Sequence, residues 1–263
     1  MDLGLQGKVA VVAAASQGMG RAIAEALATE GARVALCART RATLETTAED
    51  IRRQTGAEVL PVTADVTRVA EVERFVEAAV ERWGTVHIAV ANAGGPPAKE
   101  FAAITPADWE QAVALNLMSA VHLARAVLPR MRAQKWGRLL FLTSVAVKQP
   151  IEGLLLSNAV RSGVTGLAKS LANECAPDNV LVNTVCPGYT RTERLNELVD
   201  ALVQKKGVSR DEVVRGWTTQ IPLGRLAEPK EVAALFAFLA SEQASYITGT
   251  TIAVDGGWVR SLL

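Results

Sequence analysis

Short aliphatic runs alternate with longer amphipathic segments along nearly the whole chain, and this alternation limits the folds it can adopt. The runs fall at 9–13, 33–38, 58–63, 87–91, 137–143, 180–185 and 251–254. Their near-continuous apolar character predicts strands covered on both faces, as in a parallel sheet. Helices are predicted between them at 18–30, 43–55, 69–83, 105–135, 152–176 and 229–241. In the third of these, Val69, Val72, Val76, Val80 and Trp83 recur at helical spacing. Pro150, Pro187, Pro222 and Pro229 fall between elements, where a missing amide donor costs little. The expected architecture is α/β, a single domain with a doubly wound parallel sheet of about seven strands and helices on both faces.

Composition agrees with one domain. The chain has 263 residues, 49% of them hydrophobic, enough for a substantial core, and no linker divides it. A formal charge of +1, with neither sign in blocks, argues against binding that depends on neutralising phosphate backbones or a membrane surface. The expected partner is a small molecule, with no nucleic acid and no membrane. The N-terminus lacks a signal-peptide layout and no apolar run reads as a bilayer span, so a cytoplasmic location is expected. Cys37, Cys175 and Cys186 lack metal or disulfide spacing and read as buried thiols. His87 and His122 lack nearby partners at ligand spacing, and no metal site is expected. The stretch 189–222 is polar, carries no strand and follows the sixth strand's carboxyl end, which makes it a candidate substrate lid.

The first strand runs into a turn of small residues and then a helix. Ala14, Ser16, Gln17, Gly18, Met19 and Gly20 occupy this turn, where free amides and the helix dipole converge on a position suited to a pyrophosphate. The second strand ends at Ala38, where an acidic residue would bind the ribose hydroxyls of NAD; Arg39 follows at once and can pair with the 2'-phosphate of NADP. The cofactor expected from these residues is NADP, with NAD disfavoured.

Taken in order, several segments resemble the short-chain dehydrogenase/reductase family, in its 3-oxoacyl-carrier-protein reductase-like branch. Ala13 to Gly20 resembles the family's Thr-Gly-x-x-x-Gly-x-Gly, with Ala13 and Ala14 in place of Thr and the first Gly. Asp65 and Val66 resemble its adenine-contacting pair. Asn92, Ala93 and Gly94 resemble its Asn-Asn-Ala-Gly segment, with Ala91 in place of the first Asn. Pro187, Gly188, Thr190 and Thr192 lie in a segment like the one that contacts the nicotinamide carboxamide, and residues 247–258 resemble the last strand. The resemblance spans about residue 6 to residue 258 and implies a Rossmann-type fold.

It also implies a chemical site. Asn116 matches the asparagine that supports an active-site water chain, and Ser144 the serine that hydrogen-bonds the substrate oxygen. The family's Tyr-x-x-x-Lys is replaced: Ser157 stands at the tyrosine position and Arg161 at the lysine position. Arg161, one helical turn from Ser157, can hold the cofactor ribose, but guanidinium scarcely releases a proton and a serine is a far weaker acid than a phenol. Lys148, four residues after Ser144, and Tyr189 are the candidate replacement donors, with bound water as a third; Tyr246 reads as structural.

Three functions follow: an NADP-dependent oxidoreductase acting on a carbonyl or alcohol with a nonstandard donor; an isomerase, dehydratase or other lyase on the same frame; and a noncatalytic nucleotide-binding regulator. The resemblance further implies a homotetramer or dimer built across 105–135 and 152–176.

Overall fold

The computed structural model describes residues 1–262. Seven strands form one parallel sheet: β1 (Val9–Val12), β2 (Arg33–Ala38), β3 (Val59–Thr63), β4 (Ile88–Ala91), β5 (Gly137–Leu142), β6 (Val180–Pro187) and β7 (Thr251–Val254). Their order is β3-β2-β1-β4-β5-β6-β7, so the chain winds outward from β1, returns, and winds the other way from β4. Side chains alternate between two apolar layers, as the two-residue strand period requires. Ala10, Val12, Val34 and Leu36 pack with α1 (Gly18–Thr29), α2 (Arg41–Thr55) and, across the same face, α9 (Pro229–Ala240). Val9, Val11, Ala35 and Cys37 pack on the other face with α3 (Val69–Trp83), α5 (Ser119–Ala133) and α6 (Leu155–Cys175).

Two predicted elements differ from expectation. The helix expected at 105–135 is not uniform: α4 (Pro106–Ala112) runs into a wide turn of π type over Val113–Met118 before α5 begins. Thr105 starts it with a capping box to Asp108, and Pro106 at the first helical position suits the missing donor. As a continuous helix Pro106–Ala133 is long and apolar enough to cross a membrane, contrary to the expectation that no segment would be. The inner face of α5, with Ala120, Leu123, Ala124, Val127 and Met131, is instead filled into the layer beneath the sheet.

The second difference lies at 189–222. It holds no strand, but it contains two helices, α7 (Glu193–Lys206) and α8 (Arg210–Thr218), capped by Thr192 and Ser209. Leu195, Val199, Val213 and Trp217 form their buried faces and, with Ile221 just beyond α8, build a third apolar cluster with Val145, Cys186, Leu226 and Trp258 beyond the carboxyl ends of the strands. Sparse apolar positions at helical spacing sufficed to seat this polar-looking segment.

Candidate active site

Sheet order determines where the cleft opens. At the junction of β1 and β4 the connections leave in opposite directions, so the loops after these strands diverge and leave a crevice. Asn92 spans the junction: its amide donates to the carbonyls of Ala13 at 3.1 Å and Ala14 at 3.0 Å. The resulting cleft measures about 790 Å³ and runs from Arg39 at one end to Trp258 at the other.

The nucleotide end is made of backbone. Gln17, Gly18, Met19 and Gly20 line the cleft where α1 begins without a side-chain cap, so its leading amides have no partner within the helix. Gly18 adopts φ 58°, and Ala14, an L-residue, is held at φ 49°, a left-handed conformation costing about 1–2 kcal/mol. Gly20 is required by proximity: a Cβ there would lie 2.5 Å from the Ala14 carbonyl oxygen and 2.6 Å from the Asn92 amide nitrogen. Ser16, Arg39, Thr40, Asp65, Val66, Ala93, Gly94, Pro187, Gly188, Thr190 and Thr192 also line the cleft. Against the opposing effect of burial, hydrogen bonds from the Thr67 amide and hydroxyl, and to a lesser extent the Arg39 and Arg68 cations, hold the Asp65 carboxyl below its ordinary range. An uncapped helix start, a cradle that a Cβ would fill and a cation beside a strand end without a carboxylate together fit a phosphorylated dinucleotide.

The chemical end is made of side chains. Ser144 follows β5 and accepts a hydrogen bond from the Ala146 amide at 3.2 Å, so it caps the next turn and faces the cleft as well. Ser157 and Arg161, a turn apart on α6, both line it. Ser157 is buried, and its hydroxyl has no hydrogen-bond partner among the described residues. Arg161 donates to the carbonyls of Gly94 at 3.2 Å and Leu142 at 3.4 Å. Burial, reinforced by the nearby Arg194 cation, lowers its pKa to about 10; the group still carries its charge at neutral pH.

Asn116 lies behind this wall rather than on it. The wide turn carries it inward, and its Nδ2 donates to the same Gly94 carbonyl at 2.7 Å that Arg161 uses. It is therefore not the partnerless amide that an ordinary apolar helix would have implied. Its Oδ1 remains unpartnered beside a small enclosed cavity of about 20 Å³, also lined by Arg161, which is room for one water.

Two candidate donors fare differently. Lys148 ends the short turn after Ser144 and is not among the residues lining the cleft. Tyr189 lines it, but its ring lies 4.5 Å from Trp217 and 4.6 Å from Trp258, and burial pushes its pKa up to about 12. Tyr246 is fully exposed. Gln111, Glu193, Arg194 and Glu197 also face the cleft, and sequence reasoning passed over them. The last three lie on the polar α7, where their charges look like those of any solvated face.

Fold and cleft define a dinucleotide-binding α/β protein of the oxidoreductase class. Residues 13–259 match the family described as enoyl-(acyl carrier protein) reductase. The chain is 35% identical over 257 residues to the 3-oxoacyl-[acyl-carrier-protein] reductase FabG of Aquifex aeolicus, covering 98% of this chain and 99% of that one. It is 37% identical to a putative granaticin polyketide synthase ketoacyl reductase of Streptomyces violaceoruber, over 95% and 92% of the two chains. Among solved structures, L-sorbose reductase from Gluconobacter frateurii, complexed with NADPH and L-sorbose, superposes with a TM-score of 0.95 at 33% identity, each chain fully covered. The chain belongs to the short-chain dehydrogenase/reductase family.

Proposed function

We propose that the protein is an NADPH-dependent reductase of a small carbonyl compound, with bound water in place of the usual phenolic donor. The observation that carries this is convergence: the phosphate-binding turn, Arg39, Ser144, Ser157 and Arg161 all line one cleft. NADPH-bound structures of relatives at 33% identity, the sorbose reductase and an actinorhodin polyketide ketoreductase, support the cofactor.

When bound, the cofactor supplies a hydride to the carbonyl carbon. The protein's own residues account for the rest. The amides at Gln17 to Met19 hold the pyrophosphate, and Arg39, with no carboxylate at Ala38, takes the 2'-phosphate. Ser144 donates a hydrogen bond to the carbonyl oxygen and so favours the charge that develops there. That oxygen needs one proton. Ser157 is too short and too weak an acid to be its source, but its free hydroxyl and that of Ser144 hold a water that passes the proton on, and Arg161 stabilises the hydroxide left behind. The segment 189–222 serves as the lid, keeping bulk water out of the cleft.

The test is a fluorescence titration of NADPH and NADH, followed by turnover on ketones, aldehydes and 3-oxoacyl thioesters. NADPH should bind about tenfold to a hundredfold more tightly, the worth of charge-assisted hydrogen bonds of about 1.5–3 kcal/mol. Tighter NADH binding would overturn the assignment of Arg39, and NADPH binding without consumption of it by any carbonyl would overturn the reductase.

A further inference from the structure

The cleft contains a cation with nothing to neutralise it. Arg161 has five N–H donors, and its two hydrogen bonds both go to backbone carbonyls. Among the described residues no carboxylate pairs with it, and the other cation that acts on it is a second guanidinium, that of Arg194. Arg194 comes from α7 and reaches the same loop, donating to the Pro96 carbonyl at 2.6 Å, two residues from the Gly94 carbonyl that Arg161 uses. A hypothetical Cβ on Gly95 would lie 2.9 Å from the Arg194 Nε, so the loop has only glycine's backbone at the point where the guanidinium passes.

Two like charges held over one short loop repel each other and cost stability. A ligand anion removes that cost. Glu197 offsets part of the charge through a 3.0 Å pair with Arg194, but both side chains are largely solvent-accessible, 65% and 39%, and such a pair contributes little. Arg161, Arg194 and Glu197 sum to a single positive charge, which matches a carboxylate and not a dianionic phosphoryl group. Glu193 lies at the other end, 3.4 Å from where a Cβ of Gly18 would stand, and leaves this charge uncompensated. The free Ser157 hydroxyl, one helical turn before Arg161, adds a neutral donor.

We infer that the substrate is an oxo acid: its carboxylate is held between Arg194 and the unused donors of Arg161, which presents its carbonyl to Ser144. This rests on the reading of the protein as a carbonyl reductase and narrows it to anionic substrates. Bidentate guanidinium contact to a carboxylate supplies orientation as well as attraction. Arg194 acts here as a specificity-determining residue on the α7 side of the cleft, with Arg161 on the α6 side.

A matched pair of substrates tests it: a 3-oxo acid and its methyl ester, each with saturating NADPH. The acid is expected to have at least a tenfold higher kcat/KM. Arg194→Gln should raise KM for the acid tenfold or more and bring the acid-to-ester ratio near one, with the Kd for NADPH, read by fluorescence, unmoved. Equal use of acid and ester by the wild type, or a preference that survives Arg194→Gln, overturns the proposal. Should no carbonyl compound be reduced, the reductase reading fails and the carboxylate site is still decided by a nonreactive probe. Millimolar butyrate with NADP⁺ present should raise the melting temperature of the wild type and not of Arg194→Gln; identical responses reject the site.

Discussion

Arg138 and Arg161 sit at opposite ends of the same sheet, the first fully buried and the second half-buried in the cleft wall, and their partners differ in kind. Arg138, on β5 at the amino end, is enclosed by partners: it donates to the Gly137 carbonyl at 3.0 Å, lies 3.6 Å from the Glu242 carboxylate and covers the Trp136 ring at 4.2 Å. Arg161, at the carboxyl end, has two carbonyls and a second guanidinium. Burial lowers the pKa of both, yet only Arg138 has a carboxylate that opposes the shift. A cation enclosed by its partners serves the fold; one held in a cleft wall and left wanting serves a ligand, since an uncompensated charge is retained there at a cost to stability.

The largest effect should come from treating the two arginines alike. Arg138→Met leaves its backbone acceptors unpaired and breaks the packing on Trp136, and should cost about 2–4 kcal/mol in urea unfolding. Arg161→Met should leave stability unchanged or raise it while lowering turnover about a hundredfold or more. A destabilised Arg161→Met protein and an unaffected Arg138→Met protein would break the contrast.

Gly20→Ala sharpens the carboxyl end by its backbone alone. Its Cβ would press into the Ala14 carbonyl and the Asn92 amide, the two groups that tie the β1 and β4 loops together. Overpacking of this kind costs about 1–3 kcal/mol. Because the displaced atoms form the phosphate cradle, NADPH affinity should fall at least tenfold along with the melting temperature. Thermal melts and cofactor titration check both, and a variant that binds and melts like the wild type shows the turn to be looser than its contacts indicate.

How much was legible in the sequence follows the same division. The sheet and both its helical layers could be read because parallel strands buried on two faces leave long apolar runs, and Val9 to Val12 or Gly137 to Leu142 have no other reading. The turn from Ala14 to Gly20 was legible because its chemistry is backbone, and small residues announce it. Asn116 was only half legible, since the wide turn that brings its amide to Gly94 is a tertiary accommodation that periodicity cannot show. Arg194 left no signal at all: its role arises from where α7 lands, and α7 is seated by Leu195 and Val199 packing against Cys186 and Trp258 from distant parts of the chain. Lys148 illustrates the converse, a residue close to Ser144 in sequence that folding leaves off the cleft wall.

The smallest predicted effect belongs to the amino end and comes from His87. Its Nδ1 accepts a hydrogen bond from the Val9 amide at 3.0 Å, and its ring meets Trp136 edge-on at 5.6 Å, in the cluster that also holds Lys8, Arg138 and Glu242. Burial first, and the Lys8 cation second, hold its pKa below the ordinary histidine value. The unfolded chain therefore takes up a proton at a pH where the native imidazole does not. Stability contributed by His87 is complete above the unfolded pKa of about 6.5, falls as pH drops below it, and levels off once the native ring also protonates. The loss should be on the order of 1 kcal/mol, the worth of the Val9 hydrogen bond that a protonated Nδ1 can no longer accept. Urea melts of the wild type and His87→Gln between pH 7.5 and 5.5 isolate it, because every other group is common to the two proteins and cancels in the difference. Parallel curves for the two proteins would mean that His87 carries none of the pH dependence in this range.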